Sequence, residues 1–391
     1  MKEILYFDNA ATTGLHPKAL EAMMPYLSNE YGNPSAVYSF ARNARKAIEQ
    51  AREQVAEAIG ANSSEIFFTS GGTEANNWAI KGLGLAAKGG HIITSSVEHH
   101  AVSHVCESLE KQGLDVSYLP VDSQGFVSPD DLKAAIRPDT ILITLIWGNN
   151  EIGTILPIKE LAAIAQEKGI PFHTDAVQVI GKLPVNVSEL PIDMLTLSAH
   201  KFGGPKGVGA LYIRKGTKLS PIIHGGAQEK KRRAGTENVA GIVGMGAAIG
   251  IATSHMEAEV KRLSELQDYM INRIEQEIPK VSLNGPVGKN RLAGNVNFSF
   301  DYIEGESLLL MLDMHGCCAS SGSACSSASL EPSHVIMALG ASHEKAHGSI
   351  RFSLGANNSK NDVDKLMEIL PKIVKQLRDM SPLTEGEDYG I

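Results

Sequence analysis

The chain has 391 residues and 43% apolar content, enough for one large and one smaller domain. A formal net charge of -8 and a pI near 5.9 argue against nucleic-acid binding through a basic surface, and no apolar run is long enough to span a bilayer. The start of the chain lacks the charged-then-apolar layout of a signal peptide, so the expected location is the cytoplasm, and four cysteines in this length make no disulfide framework.

In chain order, residues 1–15 are polar and small and read as an arm docked on the smaller domain. A helix is expected from Pro17, a turn at Tyr31-Gly-Asn-Pro-Ser, and a helix over 41–59 that stops at Gly60. Strand and helix patterns then alternate. The expected strands are Ile66–Thr69, His91–Ser95, Val116–Leu119, Ile141–Ile146, Ile170–His173, Met194–Leu197 and Gly209–Ile213. Seven runs separated by helix-length segments predict an α/β fold with an open, mainly parallel sheet over 16–258. A charged helix over 258–277 leads into a smaller α+β unit, 259–391. It has strands at Asn295–Phe300, Cys317–Ala319 and Ser349–Leu354, helices at 307–315, after Pro332 and at 362–380, and a polar tail.

Ligands of such sheets bind beyond the carboxyl ends of the strands, and the polar clusters of this chain fall there. In Ser198-Ala-His-Lys-Phe-Gly-Gly, Lys201 follows a buried strand. It reads either as an amine desolvated for Schiff-base formation with a carbonyl cofactor or as a loop cation beside a tight turn. In Thr69-Ser-Gly-Gly-Thr-Glu, Gly72 and Thr73 open a helix whose amides suit a phosphate; an ordinary capped turn is the alternative. In Glu98-His-His-Ala, His99 suits stacking on a flat ring and proton transfer, or is a surface histidine. No metal-ligand spacing accompanies it.

Asn150 in Trp147-Gly-Asn-Asn-Glu-Ile-Gly suits a phenolic oxygen or a substrate carboxylate, or serves as a loop asparagine. Asp175 in Phe172-His-Thr-Asp-Ala-Val-Gln suits a protonated pyridine nitrogen, the contact that makes pyridoxal phosphate an electron sink, with Gln178 near the ring oxygen; a helix cap is the rival. The basic loop from Gly225 to Asn238 offers Thr236 to a phosphate, or is a solvated loop. Cys325, among Ser, Gly and Ala, is a mobile nucleophile or an inert loop thiol. Arg351 in His347-Gly-Ser-Ile-Arg-Phe-Ser sits inside a strand and wants a carboxylate, from substrate or protein.

The ordered set, from Tyr6-Phe-Asp-Asn-Ala-Ala-Thr-Thr to Ser349-Ile-Arg-Phe-Ser-Leu-Gly, covers nearly the whole chain and resembles the cysteine desulfurases of the NifS/IscS type. These are fold-type I pyridoxal 5'-phosphate enzymes of the class V aminotransferase family. The resemblance implies that Lys201 bonds to the cofactor and then moves protons, that Asp175 pairs with the pyridine nitrogen, and that Gln178 and Asn150 face the ring oxygen. It implies that His99 stacks on the ring as acid or base, and that Gly72, Thr73, Ser198 and His200 hold the phosphate, with Thr236 supplied by the second subunit of a homodimer. It assigns Arg351, with Asn150, to the carboxylate of L-cysteine, and Cys325 to the nucleophile that becomes a persulfide as alanine leaves.

That sulfur would pass to an iron–sulfur scaffold protein, where Cys325 would meet the growing cluster, or to another acceptor. Neither a membrane nor direct nucleic-acid contact is implied. Selenocysteine lyase, other pyridoxal-phosphate lyases or aminotransferases, and a non-catalytic scaffold are the competing readings. Tyr38, Ala41, Gly148 and Ala227 depart from the usual motif residues, which bears on substrate entry and subunit contacts. Cys317 and Cys318 are expected to pack.

Overall fold

A computed structural model describes residues 4–87, 89–321 and 331–381. Its strands are β1 (Leu5–Tyr6), β2 (Ile66–Thr69), β3 (His91–Ser95), β4 (Asp115–Leu119), β5 (Thr140–Ile146), β6 (Phe172–Asp175), β7 (Met194–Ser198) and β8 (Gly209–Ile213), followed by β9 (Val281–Leu283), β10 (Asn295–Phe300), β11 (Cys317–Cys318) and β12 (Ser349–Ser353). The large sheet has seven strands in the order β2-β8-β7-β6-β5-β3-β4, all parallel except β8, which runs against both neighbours. Its inner strands are buried along nearly their whole length because helices cover both faces, which is why they read as apolar runs.

The strands β2, β3, β5, β6 and β7 end on the same edge of that sheet, and each is followed by a polar turn. A helix at Gly72–Ala87 follows β2, one at His100–Glu110 follows β3, the Asn149–Gly153 turn follows β5, and a short turn of helix at Ala199–Lys201 follows β7. The strand expected at 170–173 is shifted toward its carboxyl end and closes on Asp175 itself.

The helix Val239–Ser254 was not among the expected elements. It is apolar all round, so it offers no periodic stripe to read. It packs on Arg42–Ala58, whose Ala44, Ala47, Ile48, Ala51 and Val55 form a buried face at helical spacing. A methyl group on Gly246 would lie 2.8 Å from the Ala51 Cα, so the small residues set how closely the two helices approach.

A second core lies in the C-terminal region, where β12-β10-β9 form an antiparallel sheet against the helices Met256–Glu277 and Lys360–Met380. The start of the chain belongs to this core. β1 pairs in parallel with β11, Phe7 is fully buried, and its ring meets Phe352 edge-on with centroids 6.3 Å apart. Cys317 packs here and burial pushes its thiol up to about 12, while Cys318 is half-buried. Among the described residues no single helix is long and apolar enough to cross a membrane.

The loop carrying Thr236 is tied down by one buried ion pair. The Arg52 Nη1 and Nη2 atoms donate to the Glu229 carboxylate at 2.7 and 2.8 Å, and Phe68 N donates to the same carboxylate at 2.9 Å. Glu229, Lys230 and Lys231 hold φ of 41°, 57° and 67°, left-handed backbone that costs non-glycine residues energy and that this anchor offsets. Glu229→Ala strands a buried guanidinium and is expected to lower stability by about 3–5 kcal/mol in urea unfolding. Replacing the pair with Met and Leu together should recover most of that loss; an equal loss in the double variant would refute the assignment.

Candidate active site

A cavity of about 300 Å³ lies at the carboxyl edge of the large sheet. Gly72, Thr73, His99, Asn150, Asp175, Gln178, Ser198, His200, Lys201 and Arg351, residues far apart in sequence, all line it. Thr236 does not: it is exposed on this chain. Cys325 lies outside the described residues, as does the tail after Ser381.

Lys201 Nζ donates to the carbonyls of Ala10 and Ala11 at 2.7 and 2.8 Å, so the arm fixes the amine in the cavity. Gln178 Nε2 donates to the same Ala10 carbonyl at 2.8 Å. Asp175 is buried at the end of β6; its Oδ2 accepts from Asn76 Nδ2 at 2.6 Å and its Oδ1 from Val177 N at 2.9 Å. No lysine or arginine forms an ion pair with Asp175 among the described residues. A buried carboxylate facing a cavity without a cationic partner suits a ligand that brings a positive N–H. Asn76 adds to this demand, since its Oδ1 is buried with no partner among the described residues.

His99 caps the helix that follows it, its Nδ1 accepting from Ala101 N at 3.0 Å. That bond places the proton of the neutral ring on Nε2. Burial drives its pKa below the ordinary value, outweighing the pull of Asp175 in the other direction, so the ring stays neutral.

At the far end of the cavity a second hollow shares Gly72, Thr73, Ser198 and His200 and adds Ser70, Gly71, Thr12 and Lys206. A methyl group on Gly72 would lie 2.8 Å from Val177 Cγ2, so only glycine lets the first turn of the helix come this close. The amides of a long helix's first turn, the Thr73 and Ser198 hydroxyls and Lys206 form the donor set that a phosphate needs. Burial, reinforced by Lys201 and Lys206, lowers the His200 pKa to about 4, leaving a neutral ring whose Nδ1 lies 3.1 Å from Thr12 Oγ1. Together these residues fit pyridoxal 5'-phosphate: a ring-sized cavity with an amine, a carboxylate awaiting a cationic nitrogen, an imidazole, and a phosphate cradle.

Sequence reading passed over several lining residues. Asn76 stands one turn after Thr73 on the same helix, a spacing that could have revealed it. Glu98 and Glu151 are buried beside His99 and Asn150. Glu151 accepts from Ser333 Oγ at 2.5 Å, and His334 Nε2 lies 2.9 Å from the Glu98 carbonyl. Ser320, on the other flank of residues 322–330, exchanges both backbone hydrogen bonds with Arg351, at 3.1 and 2.7 Å. Both described ends of the segment that contains Cys325 are therefore fastened beside the cavity.

The Aminotransferase class-V family matches residues 5–366. A cysteine desulfurase IscS of Dictyoglomus turgidum is 59% identical over 384 residues, spanning 98% of this chain and 97% of that one. A cysteine desulfurase IscS of Methanosarcina thermophila is 57% identical over 385 residues, spanning 98% and 95%. Among solved structures, a NifS-like protein superposes with a TM-score of 0.90 at 36% identity, covering 96% of this chain and 100% of that one. SspA in complex with cysteine superposes with a TM-score of 0.79 at 42% identity, covering 89% and 98%.

Glu98 is fully buried; its Oε1 accepts from Ser95 Oγ at 2.6 Å and Ile146 N at 3.0 Å, and its Oε2 has no partner among the described residues. Burial pushes its pKa from 4.5 to about 8. The folded protein therefore keeps this proton where the unfolded chain loses it, and stability falls as pH rises from 4.5 through about 8. Glu98→Gln should remove this component: in urea unfolding at about pH 5 and about pH 8, the wild type should lose more stability than the variant. Histidine titration is common to both proteins and cancels in the difference; identical losses would show that Glu98 is ionised in the fold.

Proposed function

The chain belongs to the aminotransferase class-V family and is a pyridoxal-phosphate-dependent cysteine desulfurase; from that premise we propose how its residues divide the work. The observation that carries the assignment is the meeting of Lys201, Asp175, His99 and the Gly72 helix start around one cavity that Arg351 also enters. Division into an arm (1–15), a large domain (16–258) and a small domain (259–391) puts that cavity where all three meet.

Lys201 is the amine that would bond to the cofactor aldehyde, and Asp175, oriented by Asn76, would hold the pyridine nitrogen. Gly72, Thr73, Ser198 and His200 would take the phosphate, with Lys206 beside them; Gln178 and Asn150 would face the ring oxygen. When bound, the cofactor supplies an electron sink that acidifies the Cα proton of an amino acid and loosens its carbon–sulfur bond.

The remaining steps belong to the chain. Arg351, 2% exposed and charged, receives the carboxylate of L-cysteine and sets the orientation of its sulfur. Lys201 takes the Cα proton, and the neutral His99, with its proton on Nε2, serves as the acid or base on the other side of the cavity. Cys325 as thiolate attacks the sulfur of the bound cysteine. A sulfur–sulfur bond forms, the carbon–sulfur bond breaks, and the electron pair goes to carbon, which gains a proton and leaves as alanine. A persulfide remains on Cys325, to be handed to an iron–sulfur scaffold protein or another sulfur acceptor. The exposure of Thr236 supports a homodimer in which this loop completes the phosphate site of the second copy. SspA, solved with cysteine, supports the choice of substrate.

Cys325→Ala should load cofactor normally and release alanine from L-cysteine at least about a thousandfold more slowly, with no persulfide detectable by mass spectrometry. Lys201→Ala should lose the visible absorption of the lysine-bound cofactor. Persulfide formation at another residue of Cys325→Ala would sink the assignment of the nucleophile.

A further inference from the structure

The desulfurase reading gives Arg351 to the substrate carboxylate, yet the guanidinium already has a partner in the fold. Its Nη2 donates to Asp8 Oδ1 at 2.9 Å, and its Nη1 donates to the carbonyl of Asn150 at 2.9 Å. Its Nε is buried with no partner among the described residues. A guanidinium has five N–H groups, so these two contacts leave the Nε proton and one proton on each Nη atom for a ligand.

Asp8 itself is set by backbone bonds on both sides. Phe7 N donates to Cys318 O at 2.8 Å, Ser353 N to Phe7 O at 2.7 Å, and Asn9 N to Ser353 O at 3.2 Å. Ser353 stands two residues beyond Arg351 on β12, and the alternation of a strand puts both on one face, beneath the arm. A second carboxyl group, Glu151, is buried and lines the same cavity as Arg351. Without Asp8, Glu151 would be the competing acceptor for a buried cation that must find one.

We propose that Asp8 is a positioning residue for substrate: it holds Arg351 away from Glu151 and turns the unused guanidinium N–H groups toward an incoming α-carboxylate. Its role rests on the desulfurase reading, and it makes the arm part of the device that selects amino acids over amines lacking a carboxylate.

Asp8→Asn keeps the shape and removes the charge. In the full-length holoenzyme, L-cysteine should show a KM raised about tenfold with kcat within about twofold, a change of about 1.4 kcal/mol. Cysteamine, the same thiol amine without the carboxylate, should bind with unchanged Kd, read from the shift in cofactor absorbance. A merely structural role would weaken both ligands alike, and that result overturns the proposal. So does an unchanged KM. A lowered KM would make Asp8 a competitor of the substrate and overturns it equally. Should Asp8→Asn fail to load cofactor, Asp8→Glu, which keeps the charge on a longer stem, goes through the same pair of titrations with the same expected split. If the wild type released no alanine from L-cysteine, the desulfurase reading would fall, while the ratio of L-cysteine to cysteamine binding would still judge Asp8.

Discussion

The site depends on one strip of backbone, the arm from Leu5 to Ala11. At one end it adds β1 to β11 and buries Phe7 in the C-terminal core; at the other, the carbonyls of Ala10 and Ala11 hold the Lys201 amine. Between them, Asp8 meets Arg351. The large sheet supplies the lysine and the small sheet the arginine, which also donates to the carbonyl of Asn150 in the turn after β5. A stretch shorter than two helical turns, together with that bond, sets the distance between the groups proposed to grip the two ends of the substrate. Its first half, Leu5 and Phe7, is apolar and packs in the C-terminal core, while Ala10 and Ala11 are small because their backbone carbonyls, rather than their side chains, make the contacts to Lys201.

That explains what the sequence could and could not disclose. The inner strands are buried on both faces, so their apolar runs are unambiguous, and the turns after them carry polar residues with few structural reasons to be there. Nine of the ten cofactor residues named from sequence line the cavity, because each is anchored at a strand end whose position was readable. The tenth, Thr236, sits in a loop whose conformation depends on Arg52, 184 residues earlier, and on three left-handed residues that no local propensity favours. β1 and β9 were missed for a similar reason: strands of two or three residues exist only through their partners. Asp8 read as a member of a polar arm, since nothing near it in sequence points to Arg351, 343 residues away.

The electrostatics of the cavity sort its groups into two classes. Burial lowers the pKa values of His99, His100 and His200 and raises those of Glu98 and Glu151, disfavouring the charged form of each. Asp175, Arg351 and Lys201 are the groups whose charge a zwitterionic substrate and a phosphorylated ring would meet. A low-dielectric wall around a few charges strengthens each interaction made with them, because there is little water or counter-charge to screen it. The neutral histidines can then exchange protons without adding fixed charge to the cavity.

The remaining requirement is delivery. A thiol proposed to reach a substrate sulfur and then present it elsewhere needs the two flanks of its segment held in place. Ser320 meets that need through paired backbone bonds to Arg351, the residue proposed to receive the carboxylate. Ser333 meets it through Glu151, and His334 through the carbonyl of Glu98, the residue before His99. The same short region of the cavity wall thus holds the arginine proposed as the substrate clamp and both described flanks of the segment that contains Cys325, the residue proposed as sulfur acceptor.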